Sequence, residues 1–152
     1  MKMHRRASAF AYAILLASVI LGAYVVTATQ AAIVEVSVWF LPWWVDLANP
    51  PRWEIYAFID PPSEYRPRDI NPDKIMLENV LAPTDTGLCW LWLVAEFDSD
   101  AVVDVIWAKI YHFTIPPGKQ TISLKITGEF KDGTPFEGVG KVIVKVPDPL
   151  LP

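Results

Sequence analysis

The stretch from Trp53 to Pro83 decides the fold: W-E-I-Y-A-F-I-D-P-P-S-E-Y-R-P-R-D-I-N-P-D-K-I-M-L-E-N-V-L-A-P. Its first part alternates with period two, the pattern of a strand with one buried face. The predicted buried face consists of Trp53, Ile55, Ala57 and Ile59. Pro61-Pro62 ends the strand because proline has no backbone N–H to donate. A second apolar run starts at Ile75, so the stretch predicts two short strands joined by a proline-rich turn.

Composition places these strands in a single all-β domain. The chain has 152 residues, and it contains 14 prolines, seven glycines and seven tryptophans. Prolines that separate short runs of β-branched and aromatic residues favour strands over helices. Residues 1–31 hold three basic residues and no acid, so the remaining chain has 10 basic and 17 acidic residues, a net charge of −7. This acidic body argues against nucleic acid as a partner.

The N-terminal residues 1–31 have the pattern of an export leader. Lys2, Arg5 and Arg6 precede an almost continuous apolar run at residues 7–26, and small residues follow it. This pattern predicts either a cleaved signal peptide or a retained anchor, because about 20 apolar residues also span a bilayer. A third alternative is an archaeal pilin-type leader, cut between Arg6 and Ala7. In each case the body is expected outside the cell or on its surface, and it contacts a membrane only through residues 7–26, if these are not cleaved off.

Further strands are predicted on both sides of the opening stretch. Ile33–Phe40 alternates, with Val34, Val36, Val38 and Phe40 on one face. Leu88–Phe97 is a continuous apolar run, typical of a central sandwich strand. Cys89 lies in this run and is the sole cysteine, so it is predicted to be an inert, buried thiol. An intermolecular disulfide and a catalytic thiol are the alternatives.

The C-terminal half is predicted to contain one short helix and a hairpin. Asp98 or Ser99 is a suitable N-cap for a helix at residues 99–107, which a short strand at Phe113–Ile115 would follow. Asp132-Gly133 is a strong turn signal between the alternating run Thr121–Phe130 and the return strand Phe136–Val146. Gly138 and Gly140 are interpreted as a β-bulge.

Several of these segments carry a family resemblance. Asp69–Asn79 (D-I-N-P-D-K-I-M-L-E-N), Val94–Val102 (V-A-E-F-D-S-D-A-V) and Asp132–Gly138 (D-G-T-P-F-E-G) match successive motifs of the family. The chain from Val34 to Val146 resembles a short immunoglobulin-like β-sandwich module of secreted archaeal and bacterial proteins. The resemblance implies an Ig-like fold, and many members carry an acidic D-x-D-x-D-G calcium loop. Asp85-Thr86-Gly87 stands at that place here and supplies only one carboxylate, so the family's calcium site is expected to be missing.

Other combinations of residues give no catalytic or metal site. Asp98, Asp100 and Asp104 are the densest acidic set, and they are interpreted as helix-capping and solvated acids rather than Ca²⁺ ligands. His112 is the single histidine of the body, so a histidine-based metal site or a Ser-His-Asp triad is poorly supported. We therefore predict no catalytic residue, no metal ligand and no cofactor.

The aromatic residues near Pro42 are the best candidates for a contact surface. Trp39, Phe40, Trp43 and Trp44 flank a proline bend, so they cannot all point into the core. Exposed aromatic side chains stack on sugar rings or anchor protein interfaces. The candidate contact residues are Trp39, Trp43 and Trp44, and the alternative is that the aromatic residues fill the sandwich core and its edge.

The predicted fold class is all-β. It is an Ig-like antiparallel β-sandwich of about seven strands with one short helix, spanning residues 32–147 between the leader and a C-terminal tail at 148–152. The predicted function is a non-catalytic, secreted or surface-displayed module with a structural or interaction role, whose partners are extracellular proteins or cell-surface components. A pilin-like or donor-strand filament subunit and a carbohydrate-binding module are the alternatives.

Overall fold

Nine β-strands and one α-helix form within residues 32–148, the part of the chain that the computed structural model describes. The strands are β1 Val34–Glu35, β2 Ser37–Leu41, β3 Trp44–Asp46, β4 Ile55–Asp60, β5 Met76–Leu77, β6 Asp85–Cys89, β7 Trp92–Phe97, β8 Gly118–Glu129 and β9 Pro135–Val146. The helix α1 is Ser99–Phe113. The predicted leader at residues 1–31 and the end of the predicted tail, residues 149–152, lie outside the described residues.

The strands form two sheets, and the fold is a β-sandwich with one helix. The four-stranded sheet has the order β2-β4-β7-β6, and all its neighbours are antiparallel. The five-stranded sheet has the order β1-β9-β8-β5, with β3 also paired to β9. β1 and β3 both run parallel to β9, so the second sheet is mixed rather than antiparallel as predicted. Two of the nine strands, β1 and β5, are only two residues long.

The alternation predicted around Ile55 is confirmed within β4. Ile55, Ala57 and Ile59 are buried, and the residues between them are half-buried. Trp53 was predicted on the same buried face, but it lies before the strand begins and is exposed. The two strands of the Trp53–Pro83 stretch belong to different sheets, because β4 lies in the four-stranded sheet and β5 pairs with β8. The proline-rich segment between them therefore crosses from one layer of the sandwich to the other.

The predicted first strand, residues 33–40, is divided between the two sheets. β1 pairs with β9, and β2 then joins β4. The N–H of Val36, between the two strands, donates to the carbonyl of Glu137 in β9 at 2.9 Å. The predicted face is confirmed, because Val36 and Phe40 are buried and Val34 and Val38 are half-buried and pack against the core.

Gly138 and Gly140 do not form a β-bulge. β8 and β9 pair one residue to one over twelve positions, through both glycines. A Cβ atom on Gly140 would lie 2.5 Å from a ring carbon of Phe40, and one on Gly138 would collide with the backbone carbonyl oxygen of Val36. Glycine is present at these two positions because the chain from Val36 through β2 passes close over β9. The predicted turn between β8 and β9 is confirmed at Asp132-Gly133, where Gly133 has a φ of 86°.

The apolar run Leu88–Phe97 is a hairpin and not one strand, so that prediction was wrong. β6 and β7 are joined by the two-residue loop Trp90-Leu91, and Cys89 pairs with Trp92. Trp90 supplies a positive φ of 54° at the first loop position, where Gly, Asn or Asp is usual. Cys89 is exposed at the end of the edge strand β6, which overturns its prediction as a buried thiol.

α1 is longer than the predicted helix. Asp98 is its N-cap, and the Oδ1 atom of Asp98 accepts a hydrogen bond from the N–H of Ala101 at 2.9 Å. The helix ends at Phe113, where Thr114 adopts a left-handed conformation, so the predicted strand at Phe113–Ile115 does not form. Val102, Val103, Ile106 and Ile110 pack into the core. Within residues 32–148, no helix is both long and apolar enough to cross a membrane.

Candidate functional site

Three tryptophans line one cleft on the surface of the described domain. Its volume is about 580 Å³, within the range that small-ligand sites occupy. The lining residues come from the segment after β2, the turn before β4 and the start of β8: Pro42, Trp43, Trp44, Asp46, Asn49, Pro51, Trp53 and Lys119. We call this feature the tryptophan cleft.

The segment Trp43–Leu47 is fixed to β9, and this holds two of the tryptophans in place. The Trp43 carbonyl accepts a hydrogen bond from the N–H of Ile143 at 2.9 Å, and the N–H of Leu47 donates to the carbonyl of Lys145 at 3.1 Å. Val45 and Leu47 are buried. Because side chains alternate along a strand, burial of Val45 turns Trp44 and Asp46 outward, toward the cleft.

The third tryptophan comes from the turn that precedes β4. The hydroxyl of Ser99, the residue that begins α1, donates to the Pro51 carbonyl at 2.5 Å. Ser99 is the one buried polar residue among the described side chains, and this bond satisfies its hydroxyl. The helix start therefore ties down the turn that carries Asn49, Pro51 and Trp53, so the cleft wall is anchored on both sides.

The charged residues that line the cleft are Asp46 and Lys119. The Oδ2 atom of Asp46 lies 3.0 Å from Lys145 Nζ, and its Oδ1 atom accepts from the N–H of Ala48 at 3.0 Å. The hydrogen bond from Lys145 lowers the pKa of the Asp46 carboxyl, against the opposing effect of burial. Lys119 lies directly across from Lys145 in the β8–β9 pair. Among the described residues Lys119 forms no ion pair, whereas the Asp46 carboxylate is paired with Lys145.

The three predicted contact residues are not brought together. Trp43 and Trp44 both line the tryptophan cleft, whereas Trp39 lies on the outer face of the four-stranded sheet. There the Trp39 ring stacks on Phe58, with centroids 5.5 Å apart and planes at 7°, and it meets Trp92 edge-on at 5.2 Å. Phe40, the fourth member of the predicted cluster, is buried in the core. The bend at Pro42 therefore separates the aromatic residues as expected, but it sends Trp39 to a different surface.

The acidic residues considered as calcium ligands are dispersed over two elements. Asp98 caps α1, and Asp100 and Asp104 lie within the helix. Asp85 is the first residue of β6, and its Oδ1 atom accepts from the N–H of Thr86 at 2.8 Å. Within residues 32–148, no group of three His, Cys, Asp or Glu side chains is placed to hold a metal ion.

Sequence reasoning missed Trp53, Asn49 and Lys119 as cleft residues. Trp53 fits the alternating pattern of β4, and only the position of the strand start at Ile55 shows that it lies outside the buried face. Asn49 was interpreted only as part of a turn. Lys119 is about 70 residues away along the sequence, and no local pattern links it to the other residues of the cleft.

Comparisons with protein-family models, curated proteins and solved structures find no match to this chain.

Proposed function

We propose that this chain is a non-catalytic, exported Ig-like β-sandwich module that binds an extracellular protein or a cell-surface component in the tryptophan cleft. The observation that supports this proposal is the exposure of three large aromatic side chains around one concavity. Trp43 is 61%, Trp44 43% and Trp53 60% exposed. Tryptophan is the residue type most often found at the energetic centre of interfaces.

The exposed tryptophans represent a large apolar area that is left in water. A buried tryptophan removes up to about 250 Å² from solvent, so the exposed parts of these three side chains amount to roughly 300–400 Å². At about 25 cal/mol per Å², covering that area would contribute on the order of 8–10 kcal/mol before the costs of association. Apolar patches of a few hundred Å² on a soluble domain commonly mark interaction sites.

The environment of the single cleft carboxylate supports binding rather than catalysis. Asp46 is held by Lys145 and by the backbone N–H of Ala48, and its pKa is lowered. A general acid needs a raised pKa to retain its proton near neutral pH. Asp46 instead stabilises the turn that positions Trp44 and Asn49.

A carbohydrate ligand is the second candidate, and the combination of groups in the cleft favours it. Tryptophan rings pack against the apolar faces of sugar rings, while Asn49 and Lys119 offer hydrogen-bonding groups for hydroxyls or carboxylates. Because the Asp46 carboxylate is paired with Lys145, the Lys119 ammonium group favours a glycan that carries acidic groups. We expect binding to uronic-acid-containing polysaccharide to exceed binding to a neutral polysaccharide, and added salt to reduce the difference.

The experiment is retention on immobilised polysaccharides and on isolated cell-envelope material. The double variant Trp43→Ala/Trp44→Ala should lose retention while its melting temperature and far-UV circular dichroism stay close to those of the wild type. Phe113→Ala is the matched control, because Phe113 is an exposed aromatic residue outside the cleft. Equal retention of wild type and double variant would refute the cleft as the binding site. Retention on envelope protein but on no polysaccharide would leave the first candidate and exclude the second.

The filament alternative depends on residues 1–31, which the structure does not describe. N-terminal sequencing of the mature protein distinguishes the alternatives. A mature protein that starts at Ala7 would support a pilin-type subunit. A start at Thr29 or Ala32 would support a released module, and an uncut chain would support an anchored module.

A further inference from the structure

The loop of the β6–β7 hairpin exposes a second group of large apolar side chains. Trp90 is 96% exposed, Leu91 69% and Leu88 64%. Ten successive residues, Thr86 to Ala95, carry no charged side chain. Hairpin loops of soluble proteins are usually made of Gly, Asn, Asp or Ser, which solvate well and tolerate positive φ.

The fold itself gives no reason for tryptophan at this position. Trp90 has a φ of 54°, a conformation that is uncommon for bulky residues. Its side chain makes no aromatic contact within the described residues and is almost fully in solvent. Trp90 therefore contributes little to the stability of the described domain, and an external contact is the better explanation for its position.

The chain enters the domain at the same end of the sandwich as this loop. Ser37, at the start of β2, pairs with Asp60. Because Ile59 pairs with Leu93, Asp60 lies level with Trp92, which pairs with Cys89 beside the loop. Two strand spacings separate Ser37 from Trp92, a distance of about 10 Å. The chain that precedes Ser37 is β1, which pairs with the start of β9 in the other sheet, so the residues before Val34 reach the domain at the same end as Trp90 and Leu91.

The apolar segment at residues 7–26 is connected to this end by a short linker. Six residues, 27–32, lie between Val26 and Ile33. Six residues can span at most about 21 Å. If residues 7–26 are retained as an anchor, the linker keeps the hairpin loop near the bilayer surface.

We propose that the tip of the β6–β7 hairpin, Leu88–Leu91, docks on a lipid bilayer, with Trp90 in the interfacial region of the membrane that holds residues 7–26. The inference rests on the anchored form of the proposed function. Tryptophan is enriched at the membrane interface because its ring is apolar and its N–H reaches polar headgroups. Leu88 and Leu91 flank Trp90 and add the apolar area that interfacial binding requires. An anchor and a second apolar contact together would restrict rotation of the domain on the membrane.

Charged groups at this end carry both signs. Arg66 and Lys131 are exposed in the neighbouring loops, and Glu64 and Asp132 are exposed beside them. The docking is therefore apolar in origin rather than electrostatic. It should occur on zwitterionic phosphatidylcholine vesicles and should persist in 0.5 M NaCl.

The tryptophan cleft lies at the opposite end of the sandwich. Trp44 pairs with Ile143, and Lys119 pairs with Lys145, both near the end of β9 that is remote from β1. A domain docked through Trp90 would hold the cleft away from the bilayer. The two sites are therefore separate, and a variant in one should leave the other unaffected.

The test uses the full chain reconstituted in phosphatidylcholine vesicles, with a fluorophore on Cys89. This cysteine is unique in the sequence, exposed and adjacent to Trp90. Lipids with a nitroxide near the headgroup should quench the fluorophore at least twofold. Trp90→Ser should reduce this quenching to less than half of its wild-type extent, whereas Phe113→Ser should not. The positional control is Cys89→Ser/Ala48→Cys, because Ala48 is exposed near the cleft and its label should stay unquenched.

Three results would overturn the proposal: no quenching at Cys89, equal quenching at Cys89 and Ala48, or unchanged quenching in Trp90→Ser. Loss of quenching on dilution of the protein within the vesicles would also overturn it, because that result would assign the loop to a second copy. The vesicle experiment retains residues 7–26, so its failure would refute loop docking without bearing on the leader or the cleft. N-terminal sequencing and the retention experiment test those separately.

Discussion

Replacing Gly138 with alanine tests the passage of Val36 and β2 over β9, which carries the chain from one sheet to the other. The new Cβ atom would collide with the Val36 carbonyl oxygen and would lie 2.6 Å from Val38 Cγ2. Relief requires a shift of the backbone at Val36, since a carbonyl oxygen cannot rotate away as a side chain can. Overpacking of this kind costs about 1–3 kcal/mol, and we expect the upper half of that range. For a domain of this size each kcal/mol lowers the melting temperature by roughly 3–6 °C, so the expected decrease is about 10 °C.

The matched control is Gly87→Ala in the edge strand β6. A Cβ at Gly87 meets nothing within 4 Å, and Gly87 does not have a positive φ. This variant should be neutral or slightly stabilising, by up to about 1 kcal/mol, because alanine reduces the entropy of the unfolded chain. Thermal and urea unfolding of both variants are the measurements. A Gly138→Ala variant as stable as Gly87→Ala would show that β2 does not pass over β9 at the described distance.

Two further predictions concern the helix cap and the response to acid. Asp98→Ala should lower the free energy of unfolding by about 1 kcal/mol because the Ala101 N–H loses its acceptor. The control Asp100→Ala should change the free energy of unfolding by less than about 0.5 kcal/mol. Equal losses of stability for the two variants in urea unfolding would contradict the role of Asp98 as the helix cap. Hydrogen bonds from Lys145 to Asp46 and from the Thr134 N–H to Asp132 lower the pKa of both carboxyls from 3.8. Their stabilising contribution is complete above pH 3.8 and is lost as the pH falls through the lower pKa values of the folded state. The melting temperature should therefore fall more steeply below pH 3.8 in the wild type than in Asp46→Asn/Asp132→Asn, and parallel curves would refute this assignment.

Local patterns predicted the strands that bury one face and the turns that contain special residues. Ile55, Ala57 and Ile59 are buried because they alternate along β4, and Asp132-Gly133 turns because glycine accepts a positive φ. Asp98 was recognised as an N-cap because its side chain precedes an apolar periodic run. In each case the interactions that decide the structure lie within a few residues along the chain.

The β6–β7 hairpin could not be predicted because its loop carries none of the usual turn residues. An uninterrupted apolar run contains no turn residue at the position where the chain reverses direction. Trp90 also adopts a left-handed backbone conformation, which is uncommon for a bulky residue. The error changed the prediction for Cys89, since a residue in a central strand would be buried and one at the end of an edge strand is exposed. It also concealed the most exposed tryptophan of the domain.

The tryptophan cleft was only partly predictable. Exposure of Trp43 and Trp44 followed from the bend at Pro42, because side chains on both sides of a bend cannot share one face. Trp39 was grouped with them by proximity in sequence, but β2 directs it to the outer face of the other sheet. The contribution of Trp53 depends on the strand start at Ile55, and that of Lys119 on the long β8–β9 pairing. These are tertiary relations that a single sequence does not display.

The route of the chain from β1 through β2 to β3 also has a mechanical consequence. A pull between the N-terminal side of Ile33 and a ligand held by Trp43 and Trp44 would be transmitted through β2 and the part of β9 that pairs with β1 and β3. β2 and β9 would share the load, because β2 joins the two points directly and β9 pairs with both β1 and β3. The tension would act along the strand, so the hydrogen bonds to β4 would be sheared together rather than opened one after another. The core between β4, β7 and α1 would stay largely outside this load path, and a bound module could bear tension while most of its sandwich remained unloaded.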